Sequence, residues 1–195
     1  MDNLTDDSSR ICALILAGGA GRRVGGRDKG LLQWCGRPMV DQVLQVLAPQ
    51  VRTTLISCNR NRDDYARFTA LAPADYRPGF QGPLAGIEAA LPVIEQEFIL
   101  LAPCDTPRLP TDLAGRLFQA LRQSPRSHAA YARSGDRDHY LCALLRRQGL
   151  GGLRVYLDSG QRAVRHWYRE LGALAVDFPG QENCFLNINE EPELD

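Results

Sequence analysis

The chain has 195 residues, 44% apolar and 24% charged, with 23 basic and 23 acidic side chains that cancel to a formal net charge of zero. That length suits one substantial core, and the balanced charge supplies no overall field to draw nucleic acid or an anionic membrane, so neither is expected as a partner. Any anion must be held locally, and no run approaches the ~18 apolar residues of a membrane span.

The opening MDNLTDDSSR is acidic and polar, lacks the apolar centre of a signal peptide, and is expected to be a flexible tail over residues 1–10 of one 1–195 domain. Ile11–Leu16 is a short apolar run stopped by Gly-Gly, as in a strand buried on both faces. Met39–Leu47 has Val40, Val43, Leu44 and Leu47 at helical spacing, and Val51–Ser57 is strand-like. A short helix is predicted over Asp63–Thr69, a loop over Gly79–Pro83 and a helix over Leu84–Gln96. Phe98–Ala102 is another apolar strand, and Thr111 is placed to cap a helix over Asp112–Gln123.

Ala129–Arg133 and Tyr140–Arg146 flank SGDRDH as a hairpin or as two strands with a loop. Leu150–Ser159 and Arg162–Leu171 read as helices, and LAVDF and CFLNIN as short strands. In the last, Asn187 and Asn189 alternate with Leu186 and Ile188, which puts both amides on one side of a strand. Strand and helix alternate through the first half. This predicts an α/β fold, a single-domain, Rossmann-like three-layer arrangement with a mostly parallel mixed sheet.

Ligands of such sheets sit at the carboxyl ends of the strands. Three segments follow strand ends: GGAGRRVGGRDKG, CNRNRDDY and PCDTPRLP. The first carries six glycines between Gly18 and Gly30. Glycine at this density lets backbone N–H groups approach a phosphate chain, with Arg23 and Lys29 adding positive charge. It is neither a Walker A loop, since Gly30 and Leu31 follow Lys29, nor a Rossmann GxGxxG. A solvated surface loop is the plainer reading. Asp105, just past a buried strand and between two prolines, is placed either to hold Mg²⁺ against a triphosphate or simply to close a turn. Asp75 and the SCNR segment offer acceptors and donors suited to a purine edge or a ribose hydroxyl, as ordinary turn residues also would. His139 in RDHY is placed either to face a ligand or, as the plainer reading, to be a solvated loop residue. The six cysteines have no CxxC pairing and several lie in apolar runs, so they are expected as reduced thiols of a cytoplasmic protein.

Together, LAGGAGRRVGGRDKGL, GPLAGI, PCDTPRLP, GDRDH and FLNIN resemble the molybdenum cofactor guanylyltransferase family, in order, from about Ala13 to Leu194. LAGGxGxR with a downstream Lys is shared by many nucleotidyltransferases; GG-x-DKGL with PCDTP and NIN is more specific. The resemblance implies a nucleotidyltransferase that joins GMP from GTP to molybdenum-molybdopterin and releases pyrophosphate, with Mg²⁺ as cofactor. It implies that Leu16, Ala17, Gly18 and Gly19 line the guanine nucleotide site, with Lys29 on phosphate, Asp75 on the nucleotide, and Asp105 on both GTP and Mg²⁺. The family often has Asn where Ser57 stands, with Asn59 two residues on, so either carries that contact. Arg23, Gly82, Gly86, Arg162, Asn187 and Asn189 match positions that shape the active site, with Arg162, Asn187 and Asn189 toward the acceptor.

Tyr140 stands where Pro commonly follows DH, and Glu190 where Thr commonly follows NIN. A molybdopterin insertase and molybdoenzyme-specific chaperones are the partner proteins the resemblance suggests. No general base is required, because the acceptor phosphate is already an anion; alignment by Arg23, Lys29 and Asp105 is what the reaction needs. The rival readings are a related enzyme using CTP or a sugar-phosphate acceptor, and a non-catalytic nucleotide-binding adaptor.

Overall fold

The first apolar run forms strand β1 (Ile11–Leu16) in this computed structural model, which describes residues 7–19, 27–79 and 81–188. Its side chains alternate between two cores, Ile11, Ala13 and Ile15 facing one and Cys12 and Leu14 the other. That period of two on a strand buried on both sides requires helices above and below it. A small hairpin follows, β2 (Gln33–Trp34) and β3 (Arg37–Pro38), turning through Cys35 and Gly36 at φ of 48° and 75°. Next come α1 (Met39–Leu47), β4 (Thr53–Ser57), α2 (Arg62–Tyr65), α3 (Pro83–Ala90), β5 (Phe98–Pro103) and α4 (Leu113–Gln123). The second half adds β6 (Ala129–Ser134), β7 (Arg137–Arg146), α5 (Leu153–Asp158), α6 (Val164–Glu170) and β8 (Leu174–Asp177).

The six-stranded sheet runs β4-β1-β5-β7-β6-β8. β1 pairs in parallel with β4 and β5, β7 runs antiparallel to β5 and β6, and β8 lies parallel to β6. Apolar side chains of α1 and α4 (Val40, Val43, Leu47, Leu117, Phe118) cover the Ile11–Ala13–Ile15 face. Those of α3, α5 and α6 (Leu84, Ile87, Leu153, Tyr156, Trp167, Tyr168) cover the other. This is the expected three-layer, mostly parallel α/β fold. The chain leaves β1 for β4 on one side and later returns to β5 on the other, so the order reverses at β1. At such a switch point the carboxyl ends open a crevice.

Several boundaries differ from expectation for local reasons. The helix expected over Leu84–Gln96 stops at Ala90 and tightens into a 3₁₀ turn over Leu91–Val93, because Pro92 cannot donate back into an α-helical turn. Thr111 does not cap α4: Asp112 is the boundary residue, and the Gln50 amide does the work, accepting from Ala114 N at 3.0 Å and donating to Pro110 O at 3.1 Å. The hairpin turn narrows to Gly135 and Asp136, so Asp138 and His139 belong to β7. Over its described residues, 184–188, CFLNIN is not a strand. A 3₁₀ turn over Glu182–Phe185 leads into an extended segment whose Ile188 N–H donates to Asp105 O at 2.9 Å, crossing the strand ends instead of lying beside them. Of the expected tail, Asp7 and Arg10 are tied down, Asp7 to Arg122 at 3.7 Å and Arg10 to Glu97 at 2.5 Å, with the Arg10 guanidinium over the Phe98 ring. No described helix is long and apolar enough to cross a membrane.

Candidate active site

The crevice at the ends of β1, β4 and β5 is a cleft of about 310 Å³. Its walls include Leu16, Ala17, Gly18 and Gly19 after β1, Ser57 at the end of β4, and Pro103, Cys104 and Asp105 at the end of β5. Backbone bonds hold the three ends in step: Ala17 N donates to Ser57 O at 2.8 Å and Cys104 N to Leu16 O at 3.1 Å. Asp28, Lys29, Asp75, Gly82, Pro83, Gly86, Leu141 and Asn187 complete the lining. Of the three segments singled out in the sequence, the glycine-rich one and PCDTPRLP line this cleft, whereas CNRNRDDY supplies no lining residue and meets the first through Asn61 and Tyr65 on Asp28.

Lys29 Nζ lies 2.5 Å from Asp105 Oδ2, across 76 residues of sequence, with side chains only 20% and 12% exposed. Asn187 Nδ2 donates to the other oxygen, Oδ1, at 3.1 Å, and the Ile188 N–H holds the Asp105 carbonyl. Asn187, expected toward the acceptor, thus also braces Asp105. Lys29 is set by the 3₁₀ turn Lys29–Leu31, which can lie close because Gly30 has no side chain. A Cβ at Gly30 would stand 2.5 Å from the Tyr65 hydroxyl and 3.2 Å from Cys104 Cβ. The carboxylate of Asp28 is occupied by the Tyr65 hydroxyl and by Asn61 Nδ2 at 3.1 Å, which ties the glycine-rich segment to α2.

At the β4 side, Ser57 is buried and faces the cleft, and α3 approaches it at Gly86, where a Cβ would sit 2.6 Å from Ser57 Oγ. Gly82, just before α3, has φ of +85°, a conformation that side-chain-bearing residues rarely adopt. Asn59 is not part of the lining. It grips Asp75 from behind, donating from Nδ2 to Oδ2 at 2.8 Å and accepting from Asp75 N at 3.0 Å. Arg162 is likewise set back from the cleft: its Nε donates to Gln81 Oε1 at 2.7 Å and Nη1 to Leu157 O at 2.7 Å. Arg23 and Asn189 lie outside the described residues. His139 is no solvated loop residue; its Nε2 lies 2.8 Å from Ser134 Oγ and its ring stacks on Phe185.

Asp28, Pro83, Pro103, Cys104 and Leu141 were not anticipated as lining residues. Asp28 could have been taken from its place beside Lys29. Leu141 follows from an irregularity: Tyr131 pairs with Ala143 but Ala132 with His139, so β7 bulges over residues 140–142 at the cleft. The Cys104 thiol is pushed up from its ordinary range by burial, and further by the Asp105 and Asp28 carboxylates, so it stays protonated and unreactive.

Asp105 is the residue here that could hold a divalent cation. Asp105 offers a hard carboxylate at the cleft floor, and among the described residues no group of three or more His, Cys, Asp or Glu forms a closed metal cage. One carboxylate with room for phosphate oxygens and water is the donor set Mg²⁺ usually takes in nucleotide sites.

A switch-point cleft with a half-buried Lys–Asp pair, walled by glycines, fits a nucleotide-handling α/β protein. Residues 13–175 match the family model described as MobA-like NTP transferase domain, and the chain is a nucleotidyltransferase of that family. A protein of Mannheimia succiniciproducens named molybdenum cofactor guanylyltransferase is 43% identical, covering 94% of this chain and 96% of its own. One of the same name from Shewanella amazonensis is 37% identical, with 96% and 95% covered. The chain belongs to the molybdenum cofactor guanylyltransferase family. Among solved structures, a molybdopterin-guanine dinucleotide biosynthesis protein A from Archaeoglobus fulgidus superposes with a TM-score of 0.72 at 22% identity, covering 94% of each chain. A 2-C-methyl-D-erythritol 4-phosphate cytidylyltransferase from Thermus thermophilus does so at 0.70 and 16%, covering 95% of each. Both likenesses speak to the fold alone.

Proposed function

We propose that this protein transfers GMP from GTP to molybdenum-molybdopterin, forming the guanine dinucleotide cofactor and releasing pyrophosphate, as a cytoplasmic enzyme. The observation that carries the reading is the Lys29–Asp105 pair, 2.5 Å apart at the junction of β1 and β5. The terminal phosphate oxygen of the acceptor attacks the α-phosphorus of GTP; the new P–O bond forms as the bond to the bridging oxygen breaks, and its electron pair leaves with pyrophosphate. Because the attacking oxygen is already anionic, no side chain has to remove a proton, and the inert thiol of Cys104 takes no part.

What remains for the protein is to align crowded negative charge and compensate it in a partly dry cleft. Backbone N–H groups near Gly18 and Gly19 can face the phosphates without a Cβ between them; among the described residues nothing lies within 4 Å of where a Cβ of Gly19 would be. The ammonium of Lys29 has three donors, enough to keep Asp105 and reach a phosphate oxygen. Mg²⁺, when bound, supplies charge neutralisation and orientation of the phosphates, and Asp105 is the residue that would hold it. Asn187 keeps Asp105 turned toward the cleft. Arg23 and Asn189 would add to the phosphate and acceptor sides, and Arg162 acts through its grip on Gln81, next to Gly82.

The test is incubation of the purified protein with Mg²⁺, molybdenum-molybdopterin and either GTP or CTP, with mass detection of product. A guanine dinucleotide formed with GTP supports the reading. Product with CTP instead, or with a sugar phosphate as acceptor, places the chain with other nucleotidyltransferases of the fold; GTP binding without turnover makes it an adaptor.

A further inference from the structure

We propose that Tyr65 is a positioning residue for the transfer step: through Asp28 it fixes the backbone from which Lys29 reaches Asp105. The inference rests on the reading of Lys29 as the group that meets phosphate, and adds what holds it there. Lys29 needs a hold, because its ammonium rides on a flexible four-carbon stem and its backbone lies in a three-residue 3₁₀ turn, too short to be stable alone. Tyr65 donates its hydroxyl to Asp28 Oδ1, and the same hydroxyl stands 2.5 Å from where a Cβ of Gly30 would lie. One buried oxygen thus meets both chain neighbours of Lys29. Asn61 Nδ2 donates to the other Asp28 oxygen, Oδ2, at 3.1 Å. The Asp28 carbonyl accepts the Leu31 N–H at 3.1 Å, so the residue that α2 grips is also the one that opens the Lys29 turn.

Two side chains forgo their ordinary work for this contact. Asp28 stands just before the Lys29 turn and Asn61 just before α2, where Asp and Asn usually cap the turn they begin. Among the described residues neither does so; they bond each other, 33 residues apart. Asn61 also holds a left-handed backbone at φ of 47°, strain that persists only where its surroundings enforce it. The anchoring end is firm. Tyr65 is fully buried within the core that includes Ile15, Ile56 and Cys104, and burial raises its phenol well above the ordinary range, so it stays a donor. Arg62 gives Nη1 to Cys58 O at 2.7 Å and Nη2 to Ala72 O at 3.0 Å, which fastens α2 to the chain just past β4. A lysine bracketed in this way approaches phosphate from one direction, and alignment is where phosphoryl-type transfer gains rate.

The experiment measures kcat and KM for GTP by pyrophosphate release, with Mg²⁺ and molybdenum-molybdopterin present, and the Kd for GTP by calorimetry. The set is the parent chain, Tyr65→Phe, Asn61→Gly, Lys29→Ala and the Lys29→Ala/Tyr65→Phe double variant. Tyr65→Phe keeps the ring in the core and removes only the hydroxyl. Asn61→Gly suits the left-handed backbone and removes the amide donor. Each should lower kcat roughly 10-fold, for one of the two hydrogen bonds on the Asp28 carboxylate. KM and Kd for GTP should stay within about threefold, the mark of a contact used in the transition state, with near-UV circular dichroism unchanged. On top of Lys29→Ala, with no ammonium left to aim, Tyr65→Phe should change kcat less than about twofold, the non-additivity of residues acting as one unit.

A merely structural role for Tyr65 would repeat its loss in the Lys29→Ala background. That repetition, a Tyr65→Phe protein with parental kcat, or a loss confined to KM and Kd overturns this inference and leaves the proposed function standing. A parent that releases no pyrophosphate from GTP in the presence of the acceptor overturns both.

Discussion

Gly30→Ala is the substitution whose cost can be worked from contacts. An added Cβ would sit 2.5 Å from the Tyr65 hydroxyl and 3.2 Å from both Cys104 Cβ and Sγ. Tyr65 is fully buried and its hydroxyl is bonded to Asp28, so the ring has nowhere to withdraw without breaking that bond. Overpacking of this kind costs about 1–3 kcal/mol, offset by roughly 0.4–1 kcal/mol from the stiffer unfolded chain. A net destabilisation of about 1–2 kcal/mol lowers Tm by roughly 2–8 °C in a domain of this size. Gly115→Ala is the internal control. It lies within α4 with nothing within 4 Å of its Cβ position, so the same change should stabilise by about 0.4–1 kcal/mol through helix propensity and chain stiffening. Calorimetry and urea unfolding of both variants give the comparison, and adding Tyr65→Phe to Gly30→Ala should recover part of the loss. A Gly30→Ala protein as stable as the parent would refute the idea that the Lys29 turn is held against α2 and β5 by close packing.

Lys29→Ala and Asp105→Asn should each slow GMP transfer roughly 10²–10³-fold at unchanged fold, the usual loss for one electrostatic stabiliser, read by pyrophosphate release. His139 titrates below its ordinary range of 6.5 because of burial first and the Arg137 charge second, against the opposing pull of Asp138. The unfolded chain therefore takes up this proton first as pH falls below about 6.5. Stability should decline from there downward, and His139→Gln should flatten that part of a urea-midpoint profile. Among thiols, exposed Cys35 should react first with iodoacetamide at pH 7.5, while Cys58, pushed up to about 11 mainly by burial, should stay unmodified in the native protein.

Much of this architecture was legible because the signals were strong and local. Ile11–Leu16 and Phe98–Ala102 are apolar through and through, which only a strand buried on both faces tolerates, and their loops could then be assigned to one end of a parallel sheet. The glycine-rich segment, Lys29 and Asp105 followed from residue type and place. What stayed illegible depends on tertiary partners. No local pattern reveals that Gln50, 64 residues from Ala114, starts α4 in place of Thr111. Nothing near Asn59 says that it spends its amide on Asp75, whereas Ser57, the last residue of β4, reaches the cleft. The period-two pattern of LNIN looked like a strand, yet the sheet offers it no edge beside β5, whose two sides are taken by β1 and β7. The bulge that turns Leu141 into the cleft is a register shift, invisible until β6 and β7 are paired.

The central claim, that one cleft joins triphosphate, cation and nucleoside, is tested most directly by a crystal structure with GTP and Mn²⁺, using the anomalous signal of the manganese. The account expects the metal beside Asp105, Lys29 on a phosphate oxygen and the nucleoside against Asp75. A nucleotide bound outside this cleft, or a metal peak remote from Asp105, would contradict it.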